Sequence, residues 1–241
     1  MEAKTVLITG GLGFIGGHFL HQYRQHYPRV KTLVVDKNTY AADRSRITPF
    51  EGQDNFVYIE ADIADIEKMH AIFQHHKPTE VVNFAAESHV DNSISGPAPF
   101  LATNVIGTFN LLEAARQLWL AQPHELKEDF CAARFYQIST DEVFGSLGQE
   151  GLFSEKSNYA PNSPYSASKA SADHWVRSYF HTYGLPTLIS QCSNNYGPYQ
   201  HQEKLIPTVI RTALKGQEIP IYGDGKNRRD WLYVEDHCTA I

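Results

Sequence analysis

Three groups of residues in this chain have the types and spacing to do chemistry. Asp141 and Glu142 stand side by side in QISTDEVFG, directly after an apolar run that reads as a buried strand. Successive strand residues point to opposite faces, so two acids that act together must sit where the strand gives way to a loop. Neighbouring carboxylates raise the proton affinity of one member, which leaves one acid and one base near neutral pH. Tyr165 and Lys169 are four residues apart at the start of a helical pattern and so share a face. An ammonium near the phenol favours the phenolate, lowers its pKa and equips Tyr165 as a general base. Gly10, Gly13 and Gly16 form G-x-x-G-x-x-G between an apolar run and a helical one. That spacing permits a tight turn, close backbone approach to a pyrophosphate and a helix N-terminus aimed at the anion. Asp36 ends the next apolar run, where a carboxylate can accept from a ribose 2′-hydroxyl and repel a 2′-phosphate. NAD is therefore expected over NADP. Each group also has a plainer reading: two solvated loop acids, a surface helix pair, a structural turn.

The elements that must hold these residues alternate. Strand-like runs cover residues 4–9, 30–36, 55–62, 80–86, 134–140 and 186–193. Helical spacing covers residues 14–27, 66–76, 100–119 and 165–183, with Pro28, Pro78 and the Gly184–Pro186 pair as stops. Near-continuous apolar strands alternating with helices predict an α/β, Rossmann-like, doubly wound parallel sheet. After Cys192 the texture turns polar and turn-rich, in NNYGPYQHQEKLIP and YGDGKNRRDW. The expected organisation is a dinucleotide-binding domain over residues 1–192 and the start of a substrate-binding region over 193–229. Residues 230–241 return to the core and open a final helix.

Bulk properties narrow the function. The formal net charge of −6 argues against general nucleic-acid binding. No apolar run is long enough for a membrane span, and MEAKTVLITGG lacks the basic start and apolar centre of a signal peptide. Cys131, Cys192 and Cys238 are far apart and form no C-x-x-C pair, which reads as reduced and cytoplasmic. The 12 histidines show no H-E-x-x-H or comparable ligand spacing, so no metal is expected.

The stretches TGGLGFIGG, AAESHVD, STDEVFG, YSASK, NNYGPYQ, EKLIP and RDWLYVED together resemble the extended short-chain dehydrogenase/reductase family. Within it they are most similar to the dTDP-glucose 4,6-dehydratases, with the T-D-E triplet the most discriminating part. The resemblance implies a hydro-lyase (lyase) of nucleotide-sugar metabolism and deoxysugar biosynthesis. It would convert a nucleoside-diphosphate glucose to the 4-keto-6-deoxy sugar nucleotide with NAD. Tyr165 would be base at the C4 hydroxyl, with Lys169 beside it and Thr140 bonded to the C4 oxygen. Glu142 would take the C5 proton and Asp141 would protonate the departing C6 hydroxyl. The implied cofactor contacts are Gly10, Gly13, Phe14, Ile15, Gly16, Asp36, Asp62, Ile63 and Ala85, with Tyr165 and Lys169. The implied substrate contacts are Ser88, His89, Asn195, Lys204 and Arg229. Asp91 lies in the same loop as Ser88 and His89, and Asn104 would anchor local structure against the catalytic helix. Helices 100–119 and 165–183 would pair with a second copy, giving a homodimer. Two departures bear on nucleotide and sugar preference: Asn92 stands where many relatives have Arg, and His201–Gln202 precede EKLIP. The family is normally longer at the C-terminus, so the substrate region is expected to be incomplete here. A 4,6-dehydratase or epimerase of another nucleotide sugar, and a non-catalytic NAD-binding regulator, remain the alternatives.

Overall fold

A computed structural model describes residues 4–148, 150–221 and 224–241. Met1–Ala3 of the N-terminal stretch and Tyr222–Gly223 of the turn-rich stretch lie outside the described residues. The order of elements follows the alternation read from the sequence. Strand β1 (Thr5–Thr9) is followed by α1 (Phe14–His26), β2 (Lys31–Asp36), β3 (Phe56–Glu60), α2 (Ile66–His76) and β4 (Glu80–Asn83). Then come α3 (Val90–Ser95), α4 (Ala98–Phe100), a π-helical stretch (Leu101–Gly107) and α5 (Thr108–Trp119). A short antiparallel pair, β5 (Leu120–Gln122) and β6 (Glu125–Leu126), leads to β7 (Arg134–Thr140). The rest is α6 (Pro164–Tyr183), β8 (Thr187–Cys192), β9 (Asn194–Tyr196), α7 (Leu205–Leu214), β10 (Trp231–Tyr233) and α8 (Val234–Ala240).

Six strands form one sheet in the order β3-β2-β1-β4-β7-β8, and every pair in it is parallel. This is the doubly wound Rossmann-like arrangement, with the order reversing beside β1, where open α/β sheets bind ligands. The period-2 alternation of β1 explains the two layers. Leu7 packs with Leu33, Val35, Val81 and Phe135 under α2, α5 and α6, while Val6 and Ile8 pack with Val34, Val82 and Ile138 under α1 and α8. Full burial of each such side chain is worth about 1.5–3 kcal/mol.

A buried polar chain crosses the middle strands near their C-terminal ends. Thr9 Oγ1 donates to Asn83 Oδ1 at 2.6 Å, and Asn83 Nδ2 donates to Gln137 Oε1 at 2.7 Å. These residues stand opposite one another in the parallel register Thr9↔Asn83 and Asn83↔Gln137.

Three differences from the sequence reading concern the site. Strand β4 ends at Asn83 rather than 86, because the chain leaves the sheet after Phe84 N–H bonds to the Thr9 carbonyl at 3.2 Å. The single helix expected over 100–119 contains the π-helical stretch, whose extra residue per turn re-aims side chains. Within it, Asn104 faces the loop after β4 and Thr103 faces Lys37. Helix α7 was not expected inside the turn-rich region, where EKLIP read as loop. After it, β10 pairs in parallel with β9 and α8 lies against α1.

Candidate active site

The glycine loop joins β1 to α1 as a close-packed turn. Gly10 has φ +68°, and a Cβ there would sit 2.6 Å from the Ala85 nitrogen, so backbone crowding forces glycine. A Cβ on Gly16 would collide with the Gly10 carbonyl oxygen, which is how closely the helix enters the turn. Asp36, at the end of β2, closes the loop from the other side. Its Oδ2 accepts the Leu12 N–H at 3.0 Å and its Oδ1 accepts the Asn38 N–H at 2.9 Å. Burial pushes the Asp36 carboxyl up, and these two N–H groups with Lys37 draw it back down. An anion-seeking helix start and a fixed acceptor one strand away are the donor set that a dinucleotide needs.

One cleft of about 370 Å³ runs along the C-terminal edge of the sheet. Gly10, Gly13, Phe14, Ile15, Gly16, Asp36, Asp62, Ile63 and Ala85 line it, as do Thr140, Glu142, Tyr165 and Lys169. Ser88, Asn195 and Lys204 line it as well. Asp141, His89 and Arg229 are not part of its wall.

The two acids lie where β7 breaks. The strand stops at Thr140, and Asp141–Phe144 form a 3-10 turn capped by the Thr140 hydroxyl, which accepts the Glu142 N–H at 3.3 Å. The same hydroxyl donates to Asp141 Oδ1 at 3.3 Å and makes a side-chain hydrogen bond with Tyr165. Burial pushes both acids above their ordinary range. Asp230 adds to this for Asp141, and Asp141 adds to it for Glu142, while Arg229 and Lys204 pull Glu142 back. Arg229 is thus outside the cleft wall yet its charge reaches Glu142; its Nη1 donates to the Arg228 carbonyl at 2.8 Å.

Helix α6 presents Tyr165 and Lys169 from its first turns. A Ser163–Ser166 capping box and Pro164 at the start fix that end. Lys169 is 4% exposed and its Nζ donates to the Ile138 carbonyl at 2.7 Å. Here the structure departs from the expectation of a lowered tyrosine pKa. Burial raises the Tyr165 phenol, the charges of Glu142 and Cys192 raise it further, and the Thr140 hydrogen bond is the opposing influence. The Lys169 ammonium spends its hydrogen bond on the β7 backbone and makes none with the phenol.

Asn104 is the anchor the sequence suggested. Its Oδ1 accepts the Glu87 N–H at 2.9 Å, and its Nδ2 donates to the Glu87 carbonyl at 3.0 Å and to Ser168 Oγ at 2.8 Å. It ties the loop after β4 to α6. Ser88 accepts from Lys204 Nζ through its carbonyl at 3.4 Å. His89 caps α3 and faces Glu203 at 3.8 Å. The Asn195 side chain is engaged inward, with Nδ2 donating to the Ser193 carbonyl and Oδ1 2.8 Å from His237 Nδ1.

Several cleft residues escaped the sequence reading. Lys37 Nζ lies 2.9 Å from Glu87 Oε1, 2.9 Å from Thr103 Oγ1 and 3.8 Å from Asp62 Oδ2. Its position directly after Asp36 was the available signal. Glu203, Cys192 and Tyr40 also border the cleft, and nothing in their spacing singled them out. Among the described residues no group of His, Cys, Asp and Glu could hold a metal ion, and no helix is long and apolar enough to cross a membrane.

The family model described as GDP-mannose 4,6 dehydratase matches residues 7–241. The chain belongs to that family. Within this dehydratase family, a curated dTDP-glucose 4,6-dehydratase of Xanthomonas campestris pv. campestris (strain B100) is 53% identical over 237 residues. That match covers 98% of this chain and 66% of the relative, so the chain spans just under two thirds of the relative's length. The crystal structure of dTDP-glucose 4,6-dehydratase from Bacillus anthracis in complex with NAD superposes with a TM-score of 0.86 at 42% identity. It covers 99% of this chain and 70% of that one. The Streptomyces venezuelae dTDP-glucose 4,6-dehydratase with NAD and TYD bound gives the same TM-score and identity, over 98% of this chain and 70% of that one.

Proposed function

We propose that this chain is the NAD-binding and catalytic part of a nucleotide-sugar 4,6-dehydratase, with dTDP-glucose as substrate and the 4-keto-6-deoxy sugar nucleotide as product. The observation that carries the reading is the meeting of Thr140, Asp141 and Glu142 with Tyr165 at one strand end, beside a dinucleotide loop. The names of the related enzymes support the choice of dTDP-glucose and NAD.

NAD bound along the glycine loop supplies a reversible hydride acceptor for the sugar's C4 and donor for its C6. The chain's residues do the proton work. Tyr165 takes the proton from the C4 hydroxyl, with Thr140 holding the same oxygen. The resulting C4 ketone makes the C5 proton acidic; Glu142 removes it and returns a proton to C5 once C6 has been reduced. Asp141 delivers a proton to the C6 hydroxyl as it departs as water. An acid that must be protonated and a base that must not be overly weak both gain from buried carboxylates with raised pKa values. Lys204 and Arg229 supply cations for the diphosphate, and their pull on Glu142 keeps that base from being raised too far.

Residues 1–192 are proposed as the cofactor domain and 193–229 as the start of the substrate region, with 230–241 packing back on the core. A homodimer through α5 and α6 is part of the same reading. Trp175 and Phe180 are 42% and 50% exposed there, and Trp175 packs edge-on to Phe109 across the two helices.

The test is to incubate the protein and NAD with dTDP-, UDP-, CDP- and GDP-linked hexoses and look for loss of one water. Glu142→Gln should block both water loss and C5 deuterium exchange, and Asp141→Asn should slow water loss while C5 exchange continues. Each change should cost roughly 10²–10⁴-fold in its own step. C5 exchange at the wild-type rate in Glu142→Gln removes that residue as base; epimerised product in place of dehydration overturns the reading.

A further inference from the structure

We propose that Asp173 is the counter-charge that keeps Lys169 protonated in the buried floor of the cleft, a positioning residue for the Tyr165–Lys169 pair. The inference deepens the proposed function, since it rests on Lys169 serving the reaction as an ammonium. Asp173 lies one turn beyond Lys169 on α6, so the two side chains share a face. Both are buried: Asp173 is 1% exposed and Lys169 4%.

The contacts of Asp173 leave an unspent half. Oδ2 accepts from Ser139 Oγ at 2.7 Å and from the Tyr159 hydroxyl at 3.0 Å. Gln191 Nε2 in turn donates to the Tyr159 oxygen at 2.9 Å, so β7, β8 and the segment before α6 all converge on one carboxylate oxygen. Oδ1 is buried and has no hydrogen-bond partner. A carboxylate oxygen sealed from water without a donor is costly unless a cation compensates it. Burial raises the Asp173 carboxyl, and Lys169 is the foremost influence drawing it back, ahead of the hydrogen bonds from Ser139, Tyr159 and Gln191. The Lys169 ammonium makes no direct ion pair with Asp173 and donates to the Ile138 carbonyl, so the charge it offers acts through space along one buried helix face.

Burial lowers the Lys169 pKa, and Asp173 is the foremost influence holding it up. The other titratable groups around the pair are Cys192 from β8, Tyr159 before α6, and Tyr165 on α6 itself; His174 stacks on Tyr159 with ring centroids 5.0 Å apart. Arg177 acts on Tyr159, Glu142 and Asp141 act on Tyr165, and Asp141 acts on Cys192. Opposite charges about 6–10 Å apart, in an effective dielectric of about 20, shift a pKa by roughly one to two units. Without the carboxylate, Lys169 would lose its proton closer to neutral pH, and the floor of the cleft would lose its positive charge.

The experiment titrates Lys169 directly, in the whole chain labelled with ¹³C at lysine Cε, with the resonance assigned from Lys169→Met. In Asp173→Asn the midpoint should fall by about one to two pH units. Tyr159→Phe and Ser139→Ala, which remove donors and keep the carboxylate, should leave it in place. An unchanged midpoint in folded Asp173→Asn overturns the proposal, as does an equal fall in Tyr159→Phe or Ser139→Ala. Should Asp173→Asn fail to fold, the wild-type titration decides: a protonated Lys169 near pH 7 supports the pairing and a neutral one overturns it. In turnover, the alkaline limb of kcat should move down with the Lys169 midpoint while KM holds. The titration reads the pair whether or not the substrate assignment survives.

Discussion

Replacing Asp36 with Asn should remove most of the preference for NAD over NADP. In the wild type, both carboxylate oxygens are fixed by N–H donors, from Leu12 at 3.0 Å and Asn38 at 2.9 Å. The carboxylate is therefore held in place and keeps lone pairs for a ribose diol. The neighbouring cation does not rescue a phosphate, because Lys37 is already engaged by Glu87 at 2.9 Å and Thr103 at 2.9 Å. A 2′-phosphate carries about 1.5–2 negative charges. At about 4.5 Å and an effective dielectric of about 20, its repulsion from the carboxylate reaches roughly 5–7 kcal/mol before relaxation. Relaxation, solvent and salt bring the expected difference to about 2–4 kcal/mol, or roughly 30- to 1,000-fold in dissociation constant. Equilibrium titration of both cofactors, in wild type and Asp36→Asn, measures it. The variant should bind NAD more weakly and NADP more tightly, bringing the two within about tenfold. Equal affinities in the wild type, or an unchanged ratio in the variant, would refute the role given to Asp36.

Two further outcomes follow from the helix pair. Glu113 on α5 accepts from Arg116 Nε at 2.9 Å, Gln117 at 2.9 Å and the Tyr179 hydroxyl of α6 at 2.9 Å, and these bonds, Arg116 foremost, hold its carboxyl down at about 2. A folded-state pKa below the unfolded one gives stability that is present above about pH 4.5 and lost as pH falls toward 2. Allowing for solvent screening, Glu113→Gln should cost roughly 1–2 kcal/mol at pH 6 and progressively less down to pH 3 in denaturant melts; a pH-independent difference contradicts this. Phe180→Asp and Trp175→Glu should turn a dimer into a monomer in light scattering, and a wild-type protein that is monomeric at micromolar concentration ends the dimer reading.

The alternation of apolar strands and helices was legible because both faces of the central strands are buried, as Leu7 and Val6 show on β1. The acid pair was legible for a different reason: two charges after an apolar run can face one ligand where the strand ends, and β7 ends at Thr140. What the sequence hid was orientation. Lys169 pointing to the Ile138 carbonyl, and a Tyr165 phenol raised instead of lowered, depend on a backbone group and an acid that are distant in the chain. Asp173 looked like one more polar residue on a helix, since its partners Ser139 and Tyr159 lie 34 and 14 residues away. The π-helical stretch was hidden because Asn104 gains its three bonds only once the loop after β4 and helix α6 are both in place.

The polar chain Thr9–Asn83–Gln137 also governs how the sheet can be assembled. Parallel strands of Val, Leu and Ile are nearly interchangeable under a two-residue slide, because such a slide returns every apolar side chain to its own face. A hydroxyl and two carboxamides buried in one row break that degeneracy. Shifting β4 against β1 would break the Thr9 bond and shifting it against β7 the Gln137 bond, each in a dry layer and at a cost of about 1–3 kcal/mol per orphaned group. The row therefore acts as an alignment key. It admits the one pairing in which Thr9, Asn83 and Gln137 stand opposite one another, so that Gly10, Phe84 and Ile138 follow them in step toward the sheet's edge. Its replacement by well-fitting apolar residues should leave a stable protein whose strands have lost their reason to stop in step.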